Sequence, residues 1–285
     1  MYDLKKLRPI LVKDLIRVGR KSDGGYVLSA SQIEKTEILL SFGICDDWSF
    51  EADFCKKAQK QRNNSNSLKA IQLHAFDYSS EPLNFLQSSL KHFALTQLNI
   101  LTCNIPRTKK YAWRAIHFLW VFITFKRFFK SKLHRFYYPK FLGQKDDKIY
   151  TRLDTVFKNL QEEPENLSVF IKMDIESWEY RTLPQLVPFF DKINGLTVEF
   201  HELDIAEKKF EEIMELFSTH FDIAHVHGNC YGGLIHGTKL PMVLEITFIN
   251  KALGVDSTVL SPHQYPIKGL DFPNNKKEDI PLIFN

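Results

Sequence analysis

The fold prediction rests on the stretch Glu37-Ile-Leu-Leu-Ser-Phe-Gly43. Its apolar run predicts a short buried β-strand, and the glycine directly after it predicts a sharp turn. Downstream, apolar residues return at helical spacing over Trp48–Lys60. Strand, turn and helix in this order are typical of the units that build a parallel α/β sheet.

The same alternation continues along most of the chain. Further strands are predicted at Ala70–Phe76, Gln97–Cys103, Ser168–Met173, Gly195–Phe200, Phe221–Val226 and Met242–Ile249. Further helices are predicted at Thr151–Leu160, Trp178–Phe190 and Ile205–His220, with one more opening at Glu81-Pro82. A turn rather than a helix joins the last two strands, so that pair must be antiparallel. We therefore predict an α/β fold with a seven-stranded, mostly parallel, methyltransferase-like Rossmann sheet and an antiparallel last strand.

Charge and aromatic residues are unevenly distributed. Hydrophobic residues are 44% and charged residues 25% of the 285, which excludes a disordered or collagen-like chain. Residues 104–150 hold twelve Lys and Arg against two Asp, a net charge of +10, which leaves −6 for the rest of a chain whose total is +4. We interpret this basic aromatic segment as a helical insertion between strands three and four.

The cysteines and the N-terminus indicate the compartment. Cys45, Cys55, Cys103 and Cys230 form no CxxC pair and no Cys/His ligand spacing, so the sequence predicts neither a zinc site nor a disulfide framework. The N-terminus lacks the apolar core and cleavage site of a signal peptide. We expect a cytoplasmic protein, with peripheral attachment to the inner face of the membrane as a further option.

Polar residues follow the predicted strands where a ligand would bind. In an open α/β sheet, ligands lie outside the carboxyl ends of the strands. The side chains and turn residues at those ends are Ser41, Gly43, Asp77, Asn104, Asp174, Glu176 and His201. A glycine lets the backbone approach a ligand, and an acid at the second strand end could accept bonds from ribose hydroxyls. The alternative is that Gly43 only turns the chain and Asp77 only caps the next helix.

The loop after the first strand favours a cofactor without phosphate. It contains a single glycine in place of a GxGxxG cradle, and Asp46 and Asp47 would repel a pyrophosphate there. S-adenosylmethionine carries a positive centre and no phosphate. A cofactor of this kind would avoid that repulsion, and the candidate cofactor-binding residues are Ser41, Gly43, Asp77, Asn104 and Asp174.

Four segments together resemble the FkbM-type S-adenosylmethionine-dependent methyltransferases. They are Leu40–Glu51, His74–Asp77, Lys172-Met-Asp-Ile-Glu-Ser-Trp-Glu179 and Val198–His201, and the element Arg20-Lys-Ser-Asp-Gly-Gly-Tyr26 precedes them. The resemblance covers roughly residues 17–103 and 150–250. It implies a class I methyltransferase-like Rossmann fold that methylates hydroxyl oxygens of sugars or natural products.

The resemblance also implies a division of the chain and of its site. Residues 1–36 would be a lead-in, and residues 37–285 a methyltransferase domain carrying the insertion at 104–150. Gly43 would lie near the cofactor, Asp77 on its ribose, and Asp174 and Glu176 at the reaction centre. Ser177 departs from the pattern, because such motifs usually carry glycine there.

Methyl transfer to a hydroxyl needs a base that removes the proton. Asp174, Glu176, Glu199 and His201 are the candidates by position, and a histidine titrates near neutrality. We expect His201 to be the base, with Asp174 and Glu176 orienting the reactants. A structural hydrogen bond is the other interpretation of His201. We expect no metal, although three acids and a histidine could hold a divalent ion.

The basic aromatic segment leaves the partner open. Phe118, Phe122, Phe125 and Phe129 share one helical face, and cations lie beside them, as in helices that rest on membrane surfaces. Residues 111–141 would then contact lipid, and a packed lid or a homodimer contact is the alternative. Single-stranded nucleic acid is a weaker option.

The predicted function is an S-adenosylmethionine-dependent O-methyltransferase that acts on a sugar or glycan, with the membrane surface as one place of action. A nucleotide-sugar-dependent glycosyltransferase is the second hypothesis, although the DxD motif that it would use is absent. A non-catalytic, membrane-associated Rossmann-fold binding module is the third.

Overall fold

The computed structural model describes residues 3–64, 70–130, 134–160 and 163–284. Its strands are Leu15–Val18 (β1), Tyr26–Ser29 (β2), Ile38–Phe42 (β3), Gln72–Phe76 (β4), Arg135–Tyr138 (β5), Phe141–Leu142 (β6), Tyr150–Thr151 (β7), Val169–Met173 (β8), Ile193–Phe200 (β9), Phe221–Gly228 (β10) and Leu244–Asn250 (β11). Its α-helices are Ala30–Lys35 (α1), Ser49–Asn64 (α2), Pro82–Leu101 (α3), Ile105–Phe129 (α4), Leu153–Lys158 (α5), Glu179–Thr182 (α6) and Leu203–Ser218 (α7). Short 3-10 helices occupy Leu4–Leu7, Leu183–Phe189 and Lys251–Leu253.

Seven strands form the central sheet in the order β10-β11-β9-β8-β3-β4-β5. The pairs β4/β5, β3/β4, β3/β8 and β8/β9 are parallel, whereas β11 is antiparallel to both of its neighbours. The prediction of a seven-stranded, mostly parallel sheet with an antiparallel last strand is confirmed. From β3 the chain continues to β4 and β5 on one side of the sheet, and it then returns to β8 on the other side of β3. The strand order therefore reverses between β3 and β8, which is where ligands of such sheets bind.

Successive residues of the central strands fill two separate cores. In β3, Leu40 belongs to the core on one face and Leu39 to the core on the other, and both are fully buried. Ile171 and Phe170 of β8 divide in the same way. Burying a side chain of this size contributes about 1.5–3 kcal/mol. The continuous apolar runs therefore reflect a sheet covered on both faces.

The third predicted strand is wrong. Gln97–Cys103 is not extended, because residues through Leu101 continue α3, which begins at Pro82 as expected. The α3 side chains that are buried or face α4, Phe85, Ser89, His92, Thr96 and Asn99, recur every three or four residues. This helical spacing continues into the apolar residues after Gln97, so they form the last turn of α3 and not a strand.

The predicted position of the helical insertion, between strands three and four, is also wrong. The third strand of the sheet is β5, which pairs with β4 and lies inside the basic aromatic segment 104–150. Helix α4 therefore precedes the third strand instead of following it. Residues 131–133 of this segment lie outside the described residues. No helix in the described ranges has both the length and the apolarity that crossing a bilayer requires.

The N-terminal residues pack directly on the sheet domain. Strands β1 and β2 pair with each other, and Val18, Tyr26, Leu28 and Ile33 join the same core as β3 and α2. The N-terminus of helix α1 is capped by a capping box. The Ser29 hydroxyl accepts a hydrogen bond from the helix backbone, and the Gln32 side chain accepts one from the Ser29 amide. The boundary between lead-in and domain at residue 36 stays a prediction.

Candidate active site at the carboxyl edge of the sheet

The carboxyl ends of β3, β4 and β8 surround a cavity of about 420 Å³. Such a volume lies within the range of small-molecule and cofactor pockets. Its lining consists of the loop after β3, the end of β4, the residues after β8, and an aromatic wall from β6, β7 and the Ile175–Trp178 turn: Gly43, Cys45, Phe76, Asp77, Ser79, Phe141, Leu142, Tyr150, Asp174, Ile175, Glu176 and Trp178. Three carboxylates and no Lys or Arg occur among these described lining residues, so the cavity is suited to a ligand that carries positive charge.

Gly43 is fixed by contact with the neighbouring strand end. Its φ of 77° is left-handed, and an added Cβ would lie 1.7 Å from the Asp174 carbonyl oxygen. The Gly43 amide donates to the Phe76 carbonyl at 3.0 Å, and its carbonyl accepts from the Lys172 ammonium group. No larger residue fits here. The glycine therefore does more than turn the chain, because it lets three strand ends meet beside the cavity.

Asp77 lines the cavity but is already heavily engaged. Its Oδ2 accepts from the amides of Ile44 at 3.1 Å and Cys45 at 2.7 Å. Its Oδ1 accepts from the Ser79 amide at 2.7 Å and the Ser79 hydroxyl at 2.6 Å. A carboxylate offers about four acceptor positions, and these bonds use them. A ribose hydroxyl would therefore bind Asp77 in exchange for the Ser79 hydroxyl, the one partner here that can rotate away. Asp77 does not cap α3, whose N-cap residue is Glu81.

Ser41 and Asn104 are not among the described residues that line this cavity. The Ser41 hydroxyl is fully buried and donates to Glu51 Oε1 at 2.5 Å, where it joins β3 to α2. Asn104 was expected at a strand end, and that expectation is wrong. It is the N-cap of α4, where its side chain accepts from the Arg107 amide at 3.2 Å.

The three predicted catalytic side chains come together. His201 Nε2 lies 3.8 Å from Asp174 Oδ1 and 3.8 Å from Glu176 Oε2, and 3.6 Å from Glu199 Oε1. On the other side of the ring, His201 Nδ1 and the His201 amide both lie within hydrogen-bond distance of Glu179 Oε1, at 2.9 and 2.8 Å. When Nδ1–H donates to Glu179, the free lone pair is left on Nε2, which faces Asp174 and Glu176.

Burial opposes a charge on His201, but its surroundings favour one. The hydrogen bond and charge of Glu179, with the charges of Asp174 and Glu176, outweigh the desolvation and raise the pKa of the imidazole. His201 therefore keeps its proton to higher pH than a free histidine does. When the imidazolium loses its Nε2 proton, the neutral ring has a free lone pair on Nε2 and can accept a proton from a bound ligand.

Sequence reasoning missed three side chains of this cluster. Glu179 is fully buried, although it ends the motif 172–179 that carries the FkbM resemblance. Tyr26, from the Asp-Gly-Gly-Tyr element, places its hydroxyl 3.2 Å from Glu199 Oε2 and 3.4 Å from Asp174 Oδ2. Lys172 Nζ lies 3.6 Å from Asp174 Oδ2. The motifs contained all three, but only the tertiary structure shows what they contact.

The buried acids and Lys172 balance one another beneath the site. Burial raises the pKa of Glu199 well above its usual value, and the charges of Asp174 and Glu245 add to that effect. For Lys172, burial lowers the pKa, but Asp174, Glu51 and Glu199 reverse this and raise it overall. The ammonium group therefore stays charged and offsets the carboxylates around it.

A second cavity of about 310 Å³ adjoins the first. Glu176 and Trp178 line both cavities, and the second is completed by Ser177, Tyr180, Arg181, Glu202, Ile205, Ala206 and Lys209. Its lining combines two aromatic side chains, both signs of charge and two hydroxyls. Glu176 and Ser177, at the junction, have left-handed φ values of 53° and 72°. Such strain in non-glycine residues is typical of functional sites.

Among the described residues, two groups of side chains could hold a cation. Asp174, Glu176 and His201 bring ligand atoms within 4.8 Å of one another, and Asp23, Glu199 and Glu245 do the same. Oxygen-rich groups of this kind suit a hard divalent ion. The expectation of no metal stays a prediction.

No protein-family model matches the sequence, and neither the curated proteins nor the solved structures contain a chain that matches it. The FkbM resemblance therefore rests on the motifs quoted above.

Proposed function

We propose that this chain is an S-adenosylmethionine-dependent O-methyltransferase that acts on a hydroxyl of a sugar or glycan. The proposal is carried by two adjoining cavities that share Glu176 and Trp178, and by His201, whose Nε2 lies 3.8 Å from both Asp174 and Glu176. The first cavity is acidic and aromatic, and the second, which shares Trp178 with it, is lined by side chains of both charges. A group-transfer enzyme needs this arrangement, because donor and acceptor must meet at the reacting atoms.

The first cavity fits the cofactor by the chemistry of its lining. Carboxylates and aromatic faces attract a sulfonium ion, whereas a pyrophosphate would find no lysine or arginine among the described lining residues. Gly43 and Asp77 would hold the nucleoside, with the Cys45 and Ser79 regions beside them. When bound, S-adenosylmethionine supplies an electrophilic methyl group. The class I methyltransferase assignment agrees with the antiparallel strand β11 in an otherwise parallel arrangement around the site.

The second cavity fits a sugar acceptor. Trp178 offers an apolar face for a pyranose ring, and Glu176, Glu202 and Arg181 offer hydrogen bonds for its hydroxyls. A bound hydroxyl near His201 Nε2 would give its proton to that nitrogen. Glu179 holds the ring from the Nδ1 side and stabilises the imidazolium that forms. Asp174 and Glu176 orient the acceptor oxygen.

Calorimetry tests the proposal and separates it from its rivals. S-adenosylmethionine and S-adenosylhomocysteine are titrated into the full-length protein, with a uridine diphosphate sugar titrated with and without Mg²⁺ as the comparison. We expect saturable binding of both adenosyl ligands at one site and no binding of the nucleotide sugar. Binding of the nucleotide sugar alone would support the glycosyltransferase. A folded protein that binds neither kind of ligand would support a non-catalytic module.

A further inference from the structure

Helices α3 and α4 form an antiparallel hairpin that extends beyond the sheet. The Ser89 hydroxyl donates to the Ala115 carbonyl at 2.8 Å, and the rings of Phe85 and Phe125 lie 5.9 Å apart. His117 Nε2 lies 3.0 Å from Asp46, in the loop at the carboxyl edge of the sheet. The α4 residues before His117 continue past that edge for about 18 Å, at 1.5 Å per residue.

The two ends of this hairpin differ in how they are packed. Its base joins the core through Phe85, Val121 and Phe125, and Trp48 packs against Phe125 at 5.4 Å. Among the described residues, none from 90 to 116 belongs to a hydrophobic core cluster. Contacts between α3 and α4 are therefore the main packing of the outer half, and many of its large apolar side chains are exposed.

The hairpin carries an unusual share of exposed apolar side chains. Of the 22 large hydrophobic residues that are exposed in the described chain, twelve lie within its 48 residues: Leu83, Leu90, Phe93, Leu98, Ile100, Leu101, Ile105, Trp113, Ile116, Leu119, Trp120 and Ile123. Leu101, at the tip, is 81% exposed. Trp113, Ile116, Trp120 and Ile123 share one face of α4, because they are spaced by three and four residues. A concentration of exposed apolar side chains of this kind is typical of an interaction surface.

The charged side chains of the hairpin itself are all basic. Residues 82–145 contain twelve Lys and Arg and no Asp or Glu. Seven of these cations lie on the hairpin itself and all are exposed: Lys91, Arg107, Lys109, Lys110, Arg114, Lys126 and Arg127. Arg107, Lys109 and Lys110 lie within about two turns of the apolar tip. The surface therefore offers an apolar edge with a positive zone directly behind it.

We propose that this hairpin docks on an anionic lipid bilayer. The tip residues Leu101 and Ile105 and the α4 face with Trp113 and Trp120 enter the boundary between headgroups and acyl chains. The Lys and Arg side chains bind the anionic headgroups, with their aliphatic stems along the apolar surface. Neither helix needs to cross the membrane, and neither is apolar enough over its length to do so.

Charge and side-chain type favour lipid over the other occupants. Two copies of the hairpin would bring seven cations against seven with no acid between them, and this repulsion disfavours a dimer through this face. Nine of the twelve exposed residues are aliphatic, and aliphatic side chains offer no ring on which nucleotide bases could stack. An acyl boundary accepts aliphatic and aromatic side chains alike.

Co-sedimentation of the full-length protein with vesicles tests the proposal. Vesicles of phosphatidylcholine with phosphatidylserine should bind the protein, and vesicles of phosphatidylcholine alone should bind it at least about tenfold less. Lys109→Glu/Lys110→Glu should weaken binding by about tenfold or more, because each basic side chain near the surface adds to the attraction. The matched control is Lys276→Glu/Lys277→Glu, which makes the same change of charge at exposed C-terminal positions and should bind like the wild type. Thermal denaturation confirms that each variant is folded.

Brominated phospholipid distinguishes insertion from adsorption. Its bromines quench only tryptophans that reach the acyl region, so the wild type should be quenched and Trp113→Phe/Trp120→Phe should lose most of that quenching. The proposal is overturned if anionic vesicles do not bind the protein, if both charge variants bind equally, or if the hairpin tryptophans are not quenched in the bound protein. It is also overturned if the wild-type protein is a dimer in solution and the Leu101→Ser/Trp120→Ser variant is a monomer.

Discussion

At the carboxyl edge of the sheet the chain buries carboxylates, whereas at the α3–α4 hairpin it leaves leucine, isoleucine and tryptophan side chains in solvent. Glu179 is fully buried and Glu199 is 6% exposed, but Ile116 is 69% exposed. Both choices cost stability, because burying charge and exposing apolar surface each oppose folding. Both costs are accounted for by the two proposals, in which the sheet edge binds a cationic cofactor and the hairpin binds an anionic lipid surface.

The largest expected effect is on turnover at the sheet edge. His201→Gln removes the group that we expect to accept the proton at Nε2, so kcat should fall by about 10²–10⁴-fold. Affinity for S-adenosylmethionine should change little, because His201 is not among the residues that line the first cavity. Steady-state kinetics together with calorimetry separates the two effects. Full turnover in this variant would exclude His201 as the base.

The second prediction concerns the close contact at Gly43. Gly43→Ala places a Cβ against the Asp174 carbonyl in a left-handed conformation, and we expect a loss of about 2–5 kcal/mol in the free energy of unfolding. Gly254→Ala is the matched control: its φ is 78°, but nothing lies within 4 Å of the added Cβ. That variant should lose only the backbone term of about 1–2 kcal/mol. Denaturant unfolding measures both, and equal losses would mean that the contact is unimportant.

The third prediction concerns pH. Burial lowers the pKa of His201, but Glu179 and the neighbouring acids raise it overall, so the neutral base should become available only above the pKa of an ordinary histidine. kcat/KM should therefore rise with pH on a limb centred above about 6.5. Glu179→Gln removes the charge that holds the proton, and the limb should move to lower pH. If the Glu179→Gln variant has the same pH–rate profile as the wild type, Glu179 does not raise the pKa of His201.

The fourth prediction uses the departure from the resemblance. Ser177 is held at a φ of 72°, which glycine adopts without a Cβ clash. Ser177→Gly should raise the free energy of unfolding by up to about 1 kcal/mol, since relief of strain exceeds the entropy that glycine loses. Turnover should be retained. A clear loss of stability, measured by denaturant unfolding, would show that contacts of the hydroxyl outweigh the strain.

The smallest effect belongs to the hairpin. Leu101→Ala at the tip should change the free energy of unfolding by no more than about 0.5 kcal/mol, because the side chain is 81% exposed. The same substitution at the fully buried Leu39 of β3 should cost about 2–5 kcal/mol. A large loss at Leu101 would mean that the hairpin tip is part of the folded core, and the contrast between the two regions would then fail.

Much of the sheet could be predicted because its strands carry their own signals. The runs at β3, β4, β8 and β9 are apolar and end at polar residues or a glycine. Gln97–Cys103 could not be assigned from its short apolar run, since packing of α3 against α4 decides its conformation. Arg135–Tyr138 has the basic and aromatic character of its surroundings, and only pairing with β4 defines it as a strand.

The candidate site likewise contains residues whose placement follows from the sequence and others whose contacts only the tertiary structure shows. Asp174, Glu176 and His201 follow strand ends, and parallel strands bring such ends together, so their meeting was predictable. Ser41 and Glu51 show what was not predictable: a hydroxyl near a strand end is buried against a helix. The contact of Glu179 with His201 joins a helix to a different strand, and no local pattern in the sequence encodes it.

A structure of the full-length protein with S-adenosylhomocysteine tests the central claim most directly. We predict that the ligand lies in the cavity lined by Gly43, Asp77 and Trp178. Its sulfur should point toward Asp174 and His201, and the second cavity should stay open for the acceptor. The ligand in another cavity, or an empty first cavity at saturating ligand, would contradict it.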